Sequence, residues 1–195
     1  MHQRRFTPHR TWAPLSDAEW EALAPYVLRA HGAAGRPLRD PRARLDAMLR
    51  VAVSGEPWRV LAAEGGKPDT ASRLFRRWAH AGLWSRLLEA LSDPGAPPAL
   101  RAMEYWLCRL ARRAMRLLGM KGLALANRLG LLTALPMVPW MLPNPDLSKA
   151  VFRRIDQVLS RLPHERPPPG LLTTLGRVLA IAGGRPVWSK RFAPP

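Results

Sequence analysis

The chain has 195 residues, and its 31 lysines and arginines exceed its 14 acidic residues to give a formal net charge of +17. An excess of this size indicates a polyanionic partner, either nucleic acid or an anionic membrane surface. The single cysteine excludes an intrachain disulfide framework and a cysteine-rich zinc site.

The N-terminal residues 1–14 are basic and contain prolines, which predicts a loose basic arm without the apolar run of a secretory signal. A helix is then expected to begin at Ser16. This residue can cap the helix, and Glu19, three positions later, completes a capping box. The helix buries Leu23 and Val27 on one face and leads to a Gly- and Pro-containing linker at 31–40.

Four more helices are predicted before residue 92, at about 40–53, 57–63, 69–81 and 83–91. Gly65 and Gly66 are expected to close the third helix, and Asp69 is expected to cap the fourth. Two helices joined by a short Gly-containing turn are typical of the helix-turn-helix motif. Residues 15–92 are therefore predicted to form a helix-turn-helix domain.

A Pro- and Gly-rich linker at 93–98 separates this domain from a second half that is strongly basic. Of the acidic residues, only Glu104, Asp146, Asp156 and Glu165 follow it. Helices are expected at about 99–118, 121–133, 147–162 and 170–182, followed by a frayed tail at 183–195. Because no segment has the pattern of a strand, the fold class is predicted to be all-α, with a basic helical extension over 99–182.

The fourth helix has two distinct faces when it is turned by about 100° per residue. An apolar stripe of Ala71, Leu74, Phe75 and Trp78 indicates a core-facing side. The opposite side has the layout of a recognition helix that offers cations and a hydroxyl to the major groove. We expect Thr70 and Arg73 to contact base edges, and Lys67, Arg76, Arg77 and His80 to complete the DNA-binding surface, largely through phosphates. The alternative is an ordinary solvated helix face.

Four motifs carry a resemblance to a known family. They are Leu15-Ser-Asp-Ala-Glu-Trp20, Gly35-Arg36-Pro37, Ser54-Gly-Glu-Pro-Trp-Arg59 and the segment Arg73-Leu-Phe-Arg-Arg-Trp-Ala-His-Ala-Gly-Leu-Trp84. Their order and spacing resemble the N-terminal DNA-binding domain of bacterial insertion-sequence transposases of the IS four/five group, over about residues 12–92. The resemblance implies binding of target DNA.

Full-length members of that family add a catalytic domain with an acidic triad that holds two Mg²⁺ ions. This chain departs from the pattern, because its four acids after residue 95 lie in helical or Pro-rich stretches. The histidines have no metal-ligand spacing, and Cys108 lies in an apolar helix pattern typical of a core thiol. We therefore expect no enzyme activity, no metal and no cofactor.

The second half leaves three interpretations open. Arg109, Arg112, Arg113 and Arg116 lie along one predicted helix with apolar neighbours. This helix would track the DNA backbone, pair with another subunit, or contact a membrane surface. The most apolar stretch, 122–143, contains prolines and is too short to span a bilayer.

Together these features predict a cytoplasmic, nucleoid-associated protein that binds duplex DNA without cutting it: an orphan or truncated transposase. The alternative is a protein-interaction module that forms a homo-oligomer or pairs with a full-length transposase.

Overall fold

The computed structural model describes residues 4–31, 38–64, 67–162 and 164–185. Over these ranges the chain forms eight α-helices and no strand, which confirms the all-α prediction. The chain divides into two compact units, Met1–Pro136 and Met137–Pro195. The predicted turn at Gly65-Gly66, most of the linker at 31–40 and most of the tail at 183–195 lie outside the described residues.

The first unit contains six α-helices and two short 3₁₀ segments, at Trp58–Glu64 and Leu132–Ala134. Its helices are α1 (Asp17–His31), α2 (Pro41–Ser54), α3 (Pro68–His80), α4 (Leu83–Leu91), α5 (Pro98–Ala102) and α6 (Glu104–Arg128). The second unit contains a 3₁₀ segment at Pro139–Met141, α7 (Pro145–Arg161) and α8 (Leu171–Ala182).

The predicted capping box begins α1. The backbone N–H of Glu19 donates to Oγ of Ser16 at 3.3 Å, and the backbone N–H of Ser16 donates to Oε2 of Glu19 at 2.9 Å. These two bonds satisfy N–H groups that a helix start leaves without an intrahelical partner. The prediction is therefore confirmed at the level of individual atoms.

Three local predictions need correction. The cap of α3 is Lys67, whereas Asp69 lies in the first turn, where a carboxylate favours the positive end of the helix dipole. The third predicted helix is a 3₁₀ segment rather than an α-helix. The helix expected over 121–133 is not a separate element but the last part of α6, which ends at Arg128. The backbone of Gly119, where α6 is kinked, is non-helical with a φ of 60°.

Helix α6 lies at the centre of the first unit, where it contacts α2, α3 and α4. Its side chains Trp106, Leu110 and Ala114 are fully buried. Burying a large apolar side chain in this way stabilises the folded state by about 1.5–3 kcal/mol. The linker predicted at 93–98 consequently falls inside this compact unit, and α5 and α6 complete the core that α1–α4 begin.

The N-terminal segment is bound along its length, so the expectation of a loose arm is wrong for residues 4–14. Arg5 pairs with backbone groups of Gly130 and Leu132, and its guanidinium donates twice to Glu104, at 2.9 and 2.8 Å. Farther along, Arg10 donates to Oε1 of Glu19 at 2.6 Å. We call residues 4–14 the N-terminal strap.

In the second unit, α7 packs on α8. The buried apolar side chains of α7 are Val151, Phe152, Ile155 and Val158. Asn144 caps α7 by accepting from the backbone N–H of Leu147 at 3.0 Å, and its own N–H donates to the carbonyl of Ala182 at 3.1 Å. Among all the described helices, none is long and apolar enough to cross a membrane.

Candidate nucleic-acid interface

Helix α3 forms because its sequence provides both a start and a strongly apolar face. Pro68 occupies the first helical turn, where its missing N–H costs nothing. The chain leaves the helix at Ala81 and turns at Gly82, whose φ of 76° suits a residue without a Cβ. This turn lets α4 begin at once, so that the two helices pack together.

Aromatic contacts fix the rotation of α3 about its own axis. The ring of Phe75 lies 5.2 Å from that of Trp58 and 5.0 Å from that of Trp84, measured between centroids. Trp78 and Trp84 make an edge-to-face contact at 6.1 Å. Both tryptophans are fully buried. With this side held in the core, the opposite side of α3 must face outward.

All six residues predicted to bind DNA are exposed. Within the described part of the chain, the only bond made by any of their side chains joins Nη2 of Arg76 to Oγ of Ser72, at 3.2 Å. The other charged groups have no hydrogen-bond or ion-pair partner there. This face therefore offers cations that no acidic group of the described residues neutralises. The set is Lys67, Thr70, Arg73, Arg76, Arg77 and His80.

One edge of this face borders a surface cleft of roughly 350 Å³ between α3 and α2. Thr70, Arg73 and Arg77 line it from α3, and Arg44 lines it from α2. Arg44 is half-buried, and its side chain makes no hydrogen bond or ion pair within the described residues. The sequence alone does not identify Arg44 as part of this surface, because nothing in the local pattern shows that α2 brings it beside α3.

The arginines of α6 have a different environment. Nη1 and Nη2 of Arg113 donate to the carbonyls of Val51 and Glu56, at 3.3 and 2.9 Å, and Nε of Arg109 donates to the carbonyl of Ala52 at 3.2 Å. These carbonyls belong to the last turn of α2 and the residues after it, where cations are favoured. The two arginines therefore act within the fold.

Arg113 also lies over the ring of Trp58, 4.7 Å from its centroid. Burial lowers the pKa of the Arg113 guanidinium, and the neighbouring charge of Arg109 lowers it further. Because Trp58 also contacts Phe75, Arg113 is linked to α3 through two aromatic rings.

Two of the acidic residues after residue 95, Glu104 and Asp146, form ion pairs with basic side chains. The carboxylate of Glu104 accepts hydrogen bonds from Arg5 and from the hydroxyl of Thr7, the latter at 2.7 Å. Asp146 lies in the first turn of α7 beside Lys149. No three His, Cys, Asp or Glu side chains of the described ranges are arranged to hold a metal ion. Burial raises the pKa of Cys108 to about 12, as expected for a core thiol.

A comparison with protein families identifies part of the chain. Residues 15–88 match the model of the family described as "Putative transposase of IS4/5 family (DUF4096)". This segment, which we call the transposase-family segment, is similar to that family. The match confirms the resemblance and includes α1 through most of α4, with the complete α3. No curated protein and no solved structure matches the chain.

The transposase-family segment does not include α5 and α6, although these helices pack on it. Trp106 and Leu107 of α6 and Leu87 and Leu88 of α4 are all nearly or fully buried, and the two helices contact each other. The fold of the first unit therefore extends well beyond the part that the family accounts for.

Proposed function

We propose that this protein binds duplex DNA through the outward face of α3, as a transposase-type DNA-binding protein. The observation that carries the proposal is a row of exposed cations with no ion-pair partner among the described residues, on a helix whose opposite face is anchored by Phe75 and Trp78. The transposase-family match of the same segment supports it.

The physical argument rests on how duplex DNA binds proteins. An α-helix fits the major groove, where arginine recognises guanine and phosphate with its two-pronged donor geometry. Neutralising a phosphate releases counterions, so binding weakens with salt in proportion to the number of contacts. Unpartnered side chains such as Arg73 and Arg77 lose no internal ion pair when they meet a phosphate.

We further propose that the protein binds DNA without cleaving it. Two-metal cleavage needs carboxylates that converge on a pair of ions. In this chain the carboxylate of Glu104 is engaged in a part-buried ion pair with Arg5, and Asp146 lies beside Lys149. Incubation with supercoiled DNA and Mg²⁺ should leave the DNA intact, whereas a nicked product would contradict this part.

The chain offers a matched test of the binding surface, because it has adjacent arginine pairs on separate helices. Arg76 and Arg77 lie on α3, and Arg153 and Arg154 lie on α7 of the second unit. Both members of each pair are exposed. The double variants R76A/R77A and R153A/R154A remove the same charge from different surfaces.

Affinity for random-sequence duplex fragments should be measured for each variant across a salt series. We expect R76A/R77A to reduce the slope of log K against log salt by roughly 2, at about 0.9 for each lost phosphate contact. R153A/R154A should bind like the unsubstituted protein. Equal losses in both variants would mean that net charge, and not α3, determines binding.

A further inference from the structure

The cleft between α2 and α3 brings together cations from two helices. Arg73 and Arg77 are one helical turn apart on α3, so they lie on the same side of it. Arg44 faces the same space from α2, and Thr70 adds a hydroxyl. Apolar contacts from Leu38 and Leu74 complete the lining.

No acid of the described residues pairs with these three guanidinium groups. The carboxylates near these arginines in sequence have other positions. Asp40 caps α2 by accepting from the N–H of Ala43, Asp46 accepts from the backbone N–H of Leu15, and Asp69 lies exposed in the first turn of α3. Three like charges around one concavity repel one another unless an anion enters. A cleft of about 350 Å³ has room for one, since a single water needs only about 10–15 Å³.

We propose that this cleft holds one phosphate of the DNA backbone between α2 and α3, with Arg44 on one side, Arg73 and Arg77 on the other, and the Thr70 hydroxyl as a further donor. The inference rests on the proposed function and deepens it, because it assigns Arg44 as a DNA-binding residue. It also revises the sequence expectation for Thr70 and Arg73, which then contact the DNA backbone and not base edges.

A phosphate held from two sides fixes the helix on the duplex. A single arginine can follow a phosphate as the protein rocks, whereas donors on two helices allow one position only. Backbone contacts of this kind set register and orientation. Base reading then depends on the part of α3 that lies away from the cleft, where His80 is exposed.

The test is whether Arg44 and Arg77 serve the same phosphate. The salt slope should be measured with a random-sequence duplex for R44A, R77A, R44A/R77A and the control R44A/R76A. Arg76 does not line the cleft, so the control combines two separate contacts. Thermal unfolding of each variant shows whether the fold is retained.

We expect R44A/R77A to lower the slope by about 0.9, the value for one phosphate, and R44A/R76A to lower it by about 1.8. R44K should keep the slope of the unsubstituted protein, because the charge remains, while binding weakens through loss of the planar guanidinium. A loss of about 1.8 in R44A/R77A, or no loss at all, would overturn the shared phosphate while leaving DNA binding in place. Absence of salt-dependent binding by the unsubstituted protein would instead refute the proposed function.

Discussion

Helices α3 and α6 carry arginines at similar helical spacing, yet the structure uses them in opposite ways. On α3, Arg73 and Arg77 are exposed and have no ion-pair partner among the described residues. On α6, Arg109 and Arg113 donate to carbonyls at the end of α2. The comparison shows that a basic amphipathic pattern does not by itself distinguish a binding surface from a set of internal contacts. The difference depends on whether the fold places hydrogen-bond acceptors within reach of the guanidinium groups.

The largest expected effect tests whether α6 is part of the core. Trp106→Ala removes a side chain with no exposed surface, so we expect a loss of about 3–5 kcal/mol in the free energy of unfolding, measured with denaturant. Leu117→Ala on the same helix is the control, because Leu117 is 37% exposed and should cost much less. Similar losses in the two variants would show that α6 packs differently.

The next effect contrasts the two helices directly. Arg113→Ala leaves the carbonyls of Val51 and Glu56 without this donor, which should cost roughly 1–3 kcal/mol of stability. Arg77→Ala should change stability by less than about 0.5 kcal/mol and weaken DNA binding. Unfolding and DNA titration on both variants check this crossed pattern, and a stability loss confined to Arg77→Ala would reverse the comparison.

A pH dependence is expected from the ion pair between Arg5 and Glu104. Burial raises the pKa of Glu104, but hydrogen bonds from Arg5 and Thr7 lower it by more, so the pKa lies below its ordinary value of 4.5. A lowered pKa in the folded state means that stability is present above about pH 4.5 and is lost as pH falls through the shifted pKa. Melting temperatures of the unsubstituted protein and Glu104→Gln should therefore converge in acid.

The smallest effect concerns the neighbour of Arg113. Arg112 is exposed, and its Nη2 donates to the carbonyl of Pro136 at 2.8 Å. Arg112→Ala should therefore change the free energy of unfolding by no more than about 0.5 kcal/mol. If instead it destabilised the protein as much as Arg113→Ala, loss of charge on α6 would explain both results, and the specific contacts of Arg113 would not.

Local signals predicted a good part of this molecule. The capping box of Ser16 and Glu19 uses residues three apart, and the two faces of α3 follow from helical periodicity alone. Helical periodicity also predicts that the candidate residues on α3 are exposed. Their contact with DNA stays a prediction.

Features that join distant parts of the chain could not be foreseen. The bond from Arg113 to Glu56 spans 57 residues, and the pair of Arg5 and Glu104 spans 99. Arg44 enters the cleft only because α2 lies beside α3. The composition change at 93–98 suggested a boundary, whereas burial of Leu100 and Met103 just beyond it joins the following helices to the core.

The N-terminal strap has a consequence for how the protein folds as it is synthesised. The backbone N–H of Thr7 donates to Oγ1 of Thr133, a partner 126 residues later in the chain. At about 5–20 residues per second, the ribosome needs roughly 6–25 s to make that stretch. During this interval the first residues wait without their partners, and α1 to α4 lack the buried face of α6. Closure of the first unit is therefore a late event, completed only after the segment around residue 133 has left the ribosome.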